Sequence, residues 1–195
     1  MNTSTHSSIP IRSLLTAALL GLALYFAFSG LRIATWNQLL PLFEWSETTL
    51  FGHIGKTWGA AFAVVEAFHL LAMAVMGGAI LLSDSRLLGL AFTDTPIQEI
   101  TQPAHKLFVR ALAVMLLTGV FMGCGVAMKI YYLEVFWYKM LALAAGMLFV
   151  FFIRQPLLAD DPDSLNPWVL KAVAIASVMV WFTVAACGRW IGFSG

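Results

Sequence analysis

The chain has 195 residues, 61% of them hydrophobic and 11% charged, with a mean hydropathy of +0.86 and a formal net charge of +1. A soluble domain carries about 25% charged residues, so this composition predicts an integral membrane protein and excludes a sizeable soluble domain; the near-neutral charge gives no case for nucleic-acid binding. Cys124 and Cys187 make neither a disulfide framework nor a zinc motif, and no Cys-x-x-Cys-His, Walker or dinucleotide-binding glycine motif is present.

A spanning helix needs about 20 mainly apolar residues. The expected fold is all-α: one transmembrane domain over 1–195, a bundle of about five helices with a short interfacial amphipathic segment. Helix A, 12–31, follows a short polar lead. It is longer than the apolar core of a signal peptide and ends in Ser-Gly-Leu-Arg, so it reads as a retained helix. The stretch 36–51 mixes Leu39, Leu40, Leu42, Phe43, Leu50 and Phe51 with two glutamates, the pattern of a segment lying on the membrane.

Helix B, 56–83, carries the most informative feature. Between 58 and 83 there is no Lys, Arg or Asp, and Glu66 and His69 are the only ionisable groups. Charged or titratable groups at that depth are costly and mark a cofactor, an ion path or a proton path. Positions i and i+3 share a helix face, so both are expected to point into the protein.

Helix C is expected at 103–128, helix D at 134–154 and helix E at 167–190. Pro103 and Pro167 each suit a first helical position, and Asn166 suits a cap for helix E. Thr95-Pro96 reads as the start of a separate surface helix, and Asp160, Asp161 and Asp163 as a solvated acidic turn. Trp36, Trp45, Trp58, Trp137, Trp168 and Trp190 fall near helix ends, as interfacial tryptophans do; Trp181 lies inside helix E. With five spans, Arg12, Arg86, Lys106, Arg110, Arg154 and Lys171 share one side. Arg32, Lys56, Lys129, Lys139 and Arg189 share the other, and six against five sets almost no orientation.

Helices B and D enter from the same side, which brings Lys139 toward the depth of Glu66 and His69. Three readings of this cluster compete. Glu66 and Lys139 form a structural ion pair with His69 as a core residue; or His69 ligates a haem, with Lys139 as second ligand or propionate partner; or the three form a proton or ion path. Histidine is the natural ligand of a membrane b-type haem. The other histidines pair poorly with it. His53 is about 24 Å from His69 along a continuous helix and faces away, and His105 opens helix C at the other interface. Met122 matches His69 in depth, although a helical Met more often packs.

A second cluster, Asp84, Arg86, His105, Lys106 and Arg110, is expected at the opposite interface. It suits haem propionates, a lipid headgroup or a partner subunit, or plain interfacial anchoring. Gly77-Gly78, and Gly119-x-x-x-Gly123 with Gly125, allow close helix approach or room for a flat cofactor.

His69-Leu-Leu-Ala-Met-Ala-Val-Met-Gly-Gly, followed by Asp84-Ser-Arg86-Leu-Leu-Gly, Thr118-Gly119 and Phe136-Trp-Tyr-Lys139, resembles a family of small uncharacterised bacterial membrane proteins. More distantly the pattern is similar to the CopD-like copper-resistance proteins and the HemJ-type protoporphyrinogen oxidases, over helices B to D. The latter resemblance implies haem b ligated through His69 and Lys139. Their closing histidine near the end of helix D has no counterpart, since Phe151-Phe-Ile-Arg154 stands there, and Glu66 is an addition.

The expected function is a b-type haem protein of the bacterial inner membrane that passes electrons within the bilayer, to or from a quinone. Its cofactor-binding residues would be His69 as axial ligand, Lys139, Glu66, Arg86 and His105. The alternatives are a cofactor-free accessory or anchor subunit among other membrane subunits, and a metal-ion or proton transporter. Expected partners are the lipid bilayer, other membrane subunits and a quinone.

Overall fold

The computed structural model describes residues 18, 21, 22, 24–26, 28–159 and 161–194. Most of the expected helix A therefore lies outside the described residues. The elements in order are α1 Leu31–Gln38, α2 Leu40–Thr48, α3 Leu50–Thr57, α4 Gly59–Leu88, α5 Ile97–Gly125, α6 Ala127–Tyr131 and α7 Glu134–Leu148. α7 continues through a π-helical turn, Phe149–Arg154, into α8, Gln155–Ala159. A 3₁₀ turn at Pro162–Ser164 then leads to α9, Pro167–Ile191. Among the described residues, four helices are long and apolar enough to cross a membrane: Gly59–Leu88, Ile97–Gly125, Glu134–Ala159 and Pro167–Ile191. The chain is an all-α, multi-pass membrane bundle.

Local chemistry sets the helix ends. α4 runs through Asp84 and Arg86 and stops at Gly89, whose φ of 74° is left-handed and closes the last turn onto Arg86 and Ser85. α5 begins at Ile97, six residues before the expected start, with Pro96 as its N-cap residue. Pro103 therefore sits inside the helix, and the expected separate surface helix is the first turns of α5. The Ile97 N–H donates to Asp163 at 3.2 Å, so the acidic turn is a cap and not merely solvated. The Asn166 side chain accepts from the Trp168 N–H at 2.9 Å and opens α9.

The stretch 36–51 is broken into parts of α1, α2 and α3. Thr49 caps α3 by accepting from the Gly52 N–H. The Glu47 carboxylate is bound by the Lys56 ammonium and accepts from the Met128 N–H at 3.1 Å, which ties α2, α3 and α6 together. Trp36 stacks on Trp137 with ring centroids 5.0 Å apart. Trp137 is buried, with its indole N–H donating to the Tyr131 carbonyl at 2.8 Å, so it anchors this corner of the protein near the start of α7. Gly55 and Gly125 allow α3 to touch α5, since a Cβ on Gly55 would meet the Gly125 Cα at 2.8 Å.

The core is lopsided. Met76, Ala79, Ile80, Ala104, Phe108, Ala111, Leu112, Phe149, Val150, Val173, Trp181 and Val184 pack into one cluster. Buried positions of α4 begin only at Ala72, those of α5 stop at Leu112 apart from Gly125, and those of α9 end at Val184. In α7 only Trp137 and Gly146 are buried. One half of the bundle is close-packed, and the other half leaves its facing side chains only partly covered.

Candidate functional site

His69 stands in the loosely packed half. Its Nδ1 lies 2.8 Å from Thr118 Oγ1 on α5. The Thr118 hydroxyl has a single proton, and its oxygen lies 2.6 Å from the Val114 carbonyl, an acceptor only. The hydroxyl therefore donates backward along its own helix and accepts from His69 Nδ1–H. In the neutral ring that assignment leaves the lone pair on Nε2, turned away from Thr118. Gly119 makes room for the ring: a Cβ there would lie 3.4 Å from His69 Cε1.

Lys139 extends from α7 toward α9, where a Cβ on Gly188 would lie 3.4 Å from its Nζ. Its charge reaches both His69 and Cys187. Among the described residues it has no carboxylate or hydrogen-bond partner. The structure thus brings His69 and Lys139 within electrostatic reach of each other.

Glu66 departs from expectation. It lies near His69 but is exposed, and it forms no ion pair with Lys139. Residues i and i+3 are about 60° apart around a helix. Once His69 is turned to Thr118, Glu66 falls on the exposed side of α4.

Arg86 and His105 do not join this site. Arg86 donates from Nε to the Thr95 carbonyl at 2.7 Å and lies 3.6 Å from Asp163, so it fastens the α4–α5 connection to the 3₁₀ turn. His105 packs its ring beside Phe108 and Phe151. The expected interfacial cluster is split: Lys106 and Arg110 are exposed, whereas Asp84 is 1% exposed and paired at 2.7 Å with Arg154.

That pair was not apparent from the sequence. Arg154 is 5% exposed and also donates to Ser83 Oγ at 2.5 Å. Ser177 of α9 faces the Asp84 carboxylate. The π-helical turn Phe149–Arg154 shifts the face on which Arg154 emerges, and such turns recur at functional positions. The available signal was an acid beside a serine at the end of one apolar run and an arginine at the end of another.

Residues 42–194 match a family described as a family of unknown function, DUF6644. The chain belongs to this family. The match begins in α2 and runs past α9, so it includes His69, Thr118, Lys139, Asp84 and Arg154. No curated protein and no solved structure matches the chain.

Proposed function

We propose that this DUF6644 member is a membrane b-type haem protein that passes electrons within the bilayer, to or from a quinone. The observation that carries the reading is the His69 ring, oriented by Thr118 with Nε2 left as its electron-pair donor. A ligating histidine characteristically donates its other ring N–H to a fixed acceptor. What supports a haem is the donor set: an imidazole nitrogen beside Gly119 and, beside Gly188, an ammonium with no carboxylate or hydrogen-bond partner among the described residues. When bound, the haem would supply one-electron chemistry between its ferric and ferrous states.

The protein residues have separate tasks. His69 is the axial ligand, and Thr118 holds its ring. Lys139 offers a second ligand or a cation for a propionate. Glu66, one turn from His69, would tune the site or relay a proton. Purified wild-type protein should show a Soret band that disappears in His69→Ala while circular dichroism and elution volume are kept. A colourless, well-folded wild type would overturn the proposal.

One observation favours a second reading, a cofactor-free accessory or anchor subunit. Glu66 is exposed within a membrane span, where a carboxylate facing lipid is costly and a neighbouring subunit would cover it. Co-purification of a defined set of membrane partners without haem would favour that reading.

A further inference from the structure

The packed half of the bundle encloses a second polar site, independent of the haem proposal. Around the Asp84–Arg154 pair, three buried atoms have no protein partner: Asp84 Oδ2, Arg154 Nε and Trp181 Nε1. The residues that carry them are each at most 5% exposed. Arg154 and Trp181 share the wall of a cavity with Ser83, Ser177 and His105, and its volume for water centres is ≈ 10 Å³. A buried donor left unpaired costs about 1–3 kcal/mol, so such groups are almost always satisfied by protein or by ordered water.

The chemistry of the wall selects the ligand. Asp84 and Arg154 cancel in charge, so an anion would face the carboxylate and a cation the guanidinium. Two of the wall residues, Arg154 and Trp181, each carry an unpaired N–H donor, which requires an acceptor. Asp84 is not in the wall, and its carboxylate is already faced by Ser177 as well as paired with Arg154. The volume matches one molecule of the size of water. We infer that this cavity binds a single resident water, which accepts from Arg154 Nε and Trp181 Nε1. The ion pair is a hydrated site built from α4, α5, α9 and the π-helical turn.

Radiolytic hydroxyl-radical labelling of the full chain in detergent micelles, read by mass spectrometry, tests this directly. Radicals formed at a bound water mark adjacent side chains even when bulk solvent does not reach them. Trp137 is the internal reference: it is 8% exposed against 5% for Trp181, and its indole is already paired with Tyr131. Trp181 should be modified several-fold faster than Trp137, and Ala104→Val, which fills the cavity, should remove the difference. Equal or slower labelling of Trp181 in the wild type would overturn the inference. So would undiminished labelling in a folded Ala104→Val protein. If that variant fails to fold, the wild-type comparison decides alone.

Discussion

Thr118 Oγ1 stands between His69 Nδ1, at 2.8 Å, and the Val114 carbonyl, at 2.6 Å, and together with the Met115 carbonyl it orients the ring. Thr118→Val keeps the side-chain shape and removes the acceptor. The fold should survive, and haem retention should fall by about 10–100-fold, the usual effect of losing such a support. The rate of haem transfer to excess apomyoglobin measures it. An unchanged rate would mean that Thr118 does not orient the ligand.

The Asp84–Arg154 pair makes a stability prediction that does not involve the haem. Truncating one partner leaves the other charged and buried, which costs about 3–5 kcal/mol. Asp84→Ala or Arg154→Ala should therefore unfold at markedly lower SDS fraction than wild type. Replacing both together, as Asp84→Leu with Arg154→Met, should recover much of the loss, because apolar packing substitutes well for a buried pair. A double variant as weak as either single one would contradict this.

Much of the architecture was legible in the sequence, because spanning helices declare themselves by apolar length, and Asn166-Pro167 is a local start signal that α9 uses. That His69 and Lys139 lie within electrostatic reach of each other accords with helices that enter from one side. The direction of Glu66 was not legible: the helical pattern fixes the angle between Glu66 and His69 but not which of them meets α5. The Asp84–Arg154 pair was hidden for another reason. Its members are 70 residues apart, and a π-helical turn alters the register that an ideal helix would give Arg154. The early start of α5 was masked by Pro103, which reads as a boundary but sits within the helix.

Helix packing can be tested at two glycines. A Cβ on Gly146 would lie 2.9 Å from Val180 Cγ1 and 3.2 Å from Trp181 Cζ2. Valine is stiff at χ1 and cannot swing aside, so Gly146→Ala should separate α7 from α9. The expected loss is about 1–3 kcal/mol, as for other overpacked cores. Gly119→Ala meets His69 at 3.4 Å, an ordinary contact, and should leave the melting temperature near wild type. Melting of both variants in one detergent provides the comparison.

Outside the spans, Glu47 predicts a pH dependence. The Lys56 ammonium and then the Met128 N–H stabilise its ionised form and hold its pKa below the ordinary 4.5. A carboxyl with a depressed folded pKa contributes stability above its unfolded pKa, and that contribution is lost as pH falls through the folded value. The difference in melting temperature between wild type and Glu47→Gln should thus be constant near neutrality and shrink as pH drops below 4.5. A difference that grows on acidification would reverse the assignment.

The central claim is that His69 Nε2 binds haem iron. A pyridine haemochrome assay on the freshly purified wild-type chain, with protein quantified in the same sample, tests it most directly. The account predicts b-type haem near one equivalent per chain, and a folded protein carrying none would contradict it.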